Sequence, residues 1–63
     1  MQGEITPKGL KASLGKRVEV IAFGLAYVGR LEKIDMKNGT IKIVDRKDYV
    51  ILEIERIEAF RHV

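Results

Sequence analysis

No cysteine occurs in this chain, and the chain has only 63 residues. A domain of that size buries about 60% of the surface its unfolded chain exposes, which leaves it marginal unless something adds stability. The usual additions are disulfides, a metal or self-association. Missing cysteines remove disulfides, thiolate metal sites and thiol nucleophiles together. The single histidine, His62, excludes a histidine-based metal site or catalytic triad within one chain. Self-association is what remains. No catalytic residue, metal or small-molecule cofactor is expected, and the chain does not read as an enzyme.

Hydrophobic residues make up 46% of the chain and charged ones 33%, the balance of a globular domain and not of a disordered segment. Isoleucine and valine number 14 against 5 leucines, which favours strands, because β-branched side chains suit a pleated surface. Gln2 and Asn38 are the only side-chain amides; few amides with abundant Lys, Glu and Arg predict a thermostable protein. No apolar run approaches the roughly 18 residues of a membrane span. Met1 to Leu10 is polar and broken by Gly3, Pro7 and Gly9, unlike a secretory signal, so a cytoplasmic protein is expected.

The pattern along the chain predicts one domain over residues 1–63, with residues 1–5 as a flexible tail. Thr6-Pro7 opens a short helix, with threonine as cap and proline at the first helical position. Leu10 and Leu14 share its inner face, and Gly15 ends it. Val18 to Phe23 reads as a first strand, Gly24-Leu25 as a tight connection, and Ala26 to Asp35 as a long second strand bent at Gly29. Asn38-Gly39 marks a hairpin. Thr40 to Val44, Tyr49 to Ile54 and a segment from Ile57 to Phe60 or beyond complete the strands. A helix followed by five short antiparallel strands, the second long and bent, predicts an all-β small barrel.

Two strand segments, Val20-Ile21-Ala22-Phe23 and Tyr49-Val50-Ile51-Leu52, are apolar on both faces. A lone barrel has one interior, so its strands should alternate cleanly. The surplus predicts a subunit interface formed edge to edge, through Tyr49, Ile51, Leu52, Ile57 and Phe60. Charge is also unevenly placed. Residues 1–17 hold Lys8, Lys11, Lys16 and Arg17 against Glu4, a net of +3, whereas the eight basic and eight acidic residues beyond them cancel. Copies brought together by assembly would concentrate that charge where an anionic polymer could feel it; a solvated helix face is the alternative.

The stretch Leu14-Gly15-Lys16-Arg17-Val18-Glu19-Val20, then Tyr27-Val28-Gly29-Arg30-Leu31-Glu32-Lys33-Ile34-Asp35, resembles the first signature of Sm and Sm-like proteins, with Ile41-Lys42-Ile43-Val44-Asp45 as the third strand. That resemblance implies a strongly bent five-stranded antiparallel barrel behind an N-terminal helix. It also implies a homo-oligomeric ring built by pairing the fourth strand of one subunit with the fifth of the next. Single-stranded RNA would bind near the pore. Asp35 matches the aspartate that orients the pore loop, Asn38 the base-contacting asparagine, and Lys37 stands beside it. The second signature, Arg-Gly in archaeal and eukaryotic members and Tyr-Lys-His in the bacterial ones, is replaced by Ile54-Glu55-Arg56-Ile57, where Arg56 supplies the basic residue. Lys8 and Lys11 would add a basic collar.

Two functions follow as expectations. One is a ring that binds single-stranded RNA through Asp35, Lys37, Asn38, Arg56, Lys8 and Lys11. The other is a structural or protein-interaction module of the same fold that binds no nucleic acid. Among enzyme-like features, Ser13 has no histidine near it in sequence, and Glu53 and Glu55 alternate with apolar residues as on a solvated strand edge. Tyr27 and Tyr49 read as core or interface residues.

Overall fold

Tyr27, Gly29 and Leu31 lie on one face of an 11-residue strand, Leu25–Asp35. In the computed structural model, which describes residues 7–63, this strand (β2) organises everything else. Its first half, Leu25 to Arg30, pairs with β1 (Arg17–Ala22). Its second half, Arg30 to Asp35, pairs with β3 (Thr40–Asp45), with a register shift between Leu31 and Lys33. The chain continues through β4 (Asp48–Glu53), a 3₁₀ turn (Ile54–Arg56) and β5 (Ile57–His62), and it is preceded by helix α1 (Pro7–Ala12). Five antiparallel strands form one sheet in the order β4-β3-β2-β1-β5.

The class is all-β with one short helix, as expected. In place of a barrel closed by hydrogen bonds, the strands form a single sheet with β4 and β5 at its two edges. That sheet must nevertheless curl. Four residue steps link Glu53 to Ile57, which reach at most about 14 Å, whereas the edges of a flat five-stranded sheet lie about 19 Å apart. Gly29 permits the bend. A Cβ there would meet the Val44 carbonyl oxygen at 2.6 Å and Ile43 Cγ2 at 2.8 Å, so only glycine lets β2 and β3 approach this closely.

Alternation then sorts the side chains. Val18, Val20 and Ala22 of β1, Leu31 of β2, Ile41 and Ile43 of β3 and Leu52 of β4 point inward, with Leu10 of α1 covering them. Tyr27, Ile34, Val50, Ile54, Ile57 and Phe60 pack around that core half-buried. Leu52 is 3% exposed, so the expectation that it faces a partner is corrected: its side chain fills the core. Ile57 and Phe60 give part of their surface to the same core and offer a partner only the remainder. Tyr49 and Ile51, at 63% and 58% exposed, carry the surplus apolar surface expected on β4.

Several local expectations shift. Leu14 is exposed and Ser13 takes the inner position, because α1 ends at Ala12 and the chain tightens, with Ser13 N–H donating to Leu10 O at 3.0 Å and Lys16 N–H to Ser13 O at 2.9 Å. Helical i,i+4 spacing therefore does not extend to Leu14. The first hairpin turns one residue early: Phe23 and Gly24 both take positive φ (56° and 73°), the geometry of a type I′ turn, which puts Phe23 in solvent. At the second hairpin only Gly39 has positive φ, and four residues, Met36 to Gly39, connect Asp35 to Thr40. Ile54 leaves the fourth strand for the 3₁₀ turn. The expected Thr6 cap and the tail over residues 1–5 lie outside the described residues.

Candidate nucleic-acid interface

The Asp35–Gly39 turn is held by its first side chain. Asp35 Oδ1 accepts the backbone N–H of Asn38 at 3.1 Å, and Oδ2 accepts Asn38 Nδ2 at 2.8 Å. A carboxylate only accepts, so the Asn38 amide must present its NH2 to Asp35 and leave its Oδ1 outward. The Asn38 side-chain hydrogen bond, then its backbone N–H, and further the charge of Lys33 and the Lys37 N–H favour the charged form. Asp35 is held below the ordinary aspartate range, with slight desolvation opposing.

The next turn is joined to this one. Ile54 N–H donates to Gly39 O at 2.7 Å, and Thr40 stands opposite Glu53. Asp35, Lys37, Asn38 and Arg56, four residues read from two separated stretches of sequence, thus come from adjoining turns at one end of the sheet. Lys37, Asn38 and Arg56 are exposed. Arg56 Nε contacts Glu53 Oε1 at 3.2 Å, an exposed pair that contributes little to stability and partly offsets the arginine's charge.

Beside the turn is a cleft of about 190 Å³ lined by Lys33, Asp35, Thr40, Ile41, Lys42 and Ile51. Lys33 and Lys42 were not singled out from sequence; only strand register brings them to one side. Lys42 Nζ sits 4.7 Å from the centre of the Tyr49 ring and 3.3 Å from Glu32 Oε1. Lys8 and Lys11 lie exposed on α1. The hydrogen bonds anchoring that helix's C-terminal turn run to the middle of β2 (Gly15 N–H to Leu31 O, 2.7 Å) and to β5, not to the Asp35 turn.

Sequence spacing also hid one contact. Ser13 Oγ meets His62 Nε2 at 2.5 Å across 49 residues. Ser13 is 1% exposed, and its hydroxyl lies 3.0 Å from Gly9 O, which it can donate to in the His62 tautomer that carries a proton on Nε2. The contact ties the end of α1 to β5. Among the described residues no group of three or more acidic or histidine side chains is placed to hold a metal ion.

No protein-family model matches the sequence, and neither a curated protein nor a solved structure matches it. The likeness to Sm-like proteins therefore stands on the residues quoted above and on element order.

Proposed function

We propose that this chain is a ring-forming, Sm-like protein that binds single-stranded RNA at the joined Asp35–Gly39 and Ile54–Arg56 turns. The observation that supports the reading is the Gly39–Ile54 hydrogen bond, which joins the turn carrying Lys37 and Asn38 to the turn carrying Arg56. Asn38 Oδ1 is free to accept a base N–H, as uracil N3–H would offer, because Asp35 engages the amide's other end. Lys37 and Arg56 are placed for backbone phosphates. Assembly supports the reading in two ways. The edges β4 and β5 carry unsatisfied backbone groups, and Tyr49 and Ile51 put apolar side chains beside one of them. Pairing β4 of one copy with β5 of the next covers both and repeats the turn site around a pore.

Oligouridylate binding to the purified chain at about 100 mM salt tests this, together with the native mass of the assembly. Binding by an assembly of several copies, weakened at least about tenfold in Lys37→Glu/Arg56→Glu, is expected, since reversing two phosphate contacts turns attraction into repulsion. A monomer, or binding indifferent to those changes, removes the proposal. The Glu53–Arg56 pair favours the second reading, a protein-interaction module of the same fold. Purification with a protein partner and no nucleic-acid absorbance would point there.

A further inference from the structure

Three arginines converge away from the Asp35 turn. Arg17 opens β1 and stands directly opposite Arg30 of β2. Arg30 is opposite Val44 of β3, two residues before Arg46 in the β3–β4 turn. With Val44 and Asp45 they line an open hollow of about 510 Å³. The backbone fixes this convergence. The close approach at Gly29 seats the end of β3 on β2, and Arg46 takes a φ of 60° at the first central position of a turn in which Asp45 pairs with Asp48.

Like charges directly opposite on neighbouring strands repel. Nearby acids do not cancel them. Arg30 contacts Glu32 Oε2 at 3.4 Å, but Glu32 is shared with Lys42. Among the described residues Arg17 and Arg46 form no ion pair. The lining therefore sets three guanidinium groups against the single carboxylate of Asp45.

We infer that this hollow is a phosphate-binding site that takes the backbone of a single-stranded nucleic acid. Guanidinium forks match phosphate oxygens two at a time, and three around one concavity relieve their mutual repulsion when an anion enters. Val44 is the only apolar residue in the lining, which gives a lipid's chains nothing to rest on. From Arg30 the strand runs about 16 Å to Asp35; along it Lys42 and Lys33 stand with one intervening carboxylate, Glu32, which contacts Arg30 and Lys42 at 3.4 and 3.3 Å, so two lysines against one acid link the hollow to the turn. A free phosphate ion needs no such track; a polymer uses it. The hollow shares no residue with the turn site, so either can fail without the other.

The test labels the full chain with ¹⁵N and follows the arginine Nε–Hε signals during titration with a short oligouridylate, with inorganic phosphate, and with phosphatidylserine vesicles. Saturable shifts of the Arg17 and Arg46 signals with the oligonucleotide are expected. Arg17→Gln/Arg46→Gln should bind it about tenfold more weakly, with the slope of log Kd against log salt shallower by about 1.4, two contacts at about 0.7 each. An unchanged circular-dichroism melt shows that the variant is folded; if it melts lower, Arg46→Lys should restore the melt but only part of the affinity, because lysine lacks the fork. Loss in this variant with none in Lys37→Glu/Arg56→Glu supports the hollow and overturns the turn site. Affinity and slope unchanged overturns the hollow, as do shifts with inorganic phosphate or vesicles alone.

Discussion

The central strands and the edge strands of this sheet solve the burial problem differently. On β1 and β3 every inward side chain is buried, and Leu31 of β2 is fully buried in the same cluster. On β4 only Leu52 is enclosed, while Tyr49 and Ile51 stand in water, and β5 has no fully buried residue. The edges carry apolar surface and backbone groups that one chain leaves uncovered. In a domain this small, that contrast locates the surface that assembly would cover.

The sharpest way to break the contrast is to truncate one residue of each kind. Leu31→Ala removes a fully enclosed side chain and should destabilise by about 2–5 kcal/mol. Ile51→Ala should change the stability of a dissociated chain by no more than about 0.5 kcal/mol. Chemical unfolding at several protein concentrations separates the two. If the edges are covered by other copies, Ile51→Ala lowers the melting temperature of concentrated protein and not of dilute protein. Equal effects at all concentrations would mean that β4 is no more dependent on neighbours than β2.

A smaller effect probes how α1 joins the edge. Ser13→Ala deletes a buried hydroxyl bonded to both Gly9 O and His62 Nε2 and should cost about 1 kcal/mol. Combined with His62→Ala in a double-mutant cycle, the pair should show a coupling of at least about 0.5 kcal/mol. Strictly additive effects would show that the helix does not lean on β5 through this contact.

The centre was also the more legible part. Val18 and Val20 alternate with Glu19, and Ile41 and Ile43 with Lys42, so each pair shares a face that alternation shows, and Gly29 marks a close approach by being the one residue without a side chain in a long strand. Period-2 logic weakened where both positions are apolar. In Tyr49-Val50-Ile51-Leu52 it could not tell that Leu52 points in and Ile51 out, which depends on pairing to β3. Phe23 shows a second limit: β propensity argued for strand, but the two-residue turn needed positive φ there and took it. At the site, Asp35 and Asn38 are named by the resemblance to Sm-like proteins, whereas the contact between them, three residues apart, is a finding of the structure. Ser13 with His62, and Arg17 with Arg30 and Arg46, were not readable in the sequence, since strand register and not sequence distance brings them together.

The finest test concerns the Asp35–Asn38 contact at the end of the sheet. Asp35 has a lowered folded-state pKa because Asn38 bonds its charged form. A lowered carboxylate pKa gives stability that is full above the unfolded value and lost as pH falls through the folded one. The turn should therefore be indifferent to pH from neutrality down to the ordinary aspartate range and loosen only below it. The Asn38 amide resonance, followed against pH, should titrate with a midpoint below that of a free aspartate. Asn38→Ala removes the leading cause and should move the Asp35 midpoint upward. Since Asp35 is what turns Asn38 Oδ1 outward, oligouridylate affinity should fall over the same acidic interval in the native chain and at higher pH in Asp35→Glu if the longer side chain fits the turn less well. An affinity that ignores this interval would separate the Asp35–Asn38 contact from binding and leave the turn a structural link between β2 and β3.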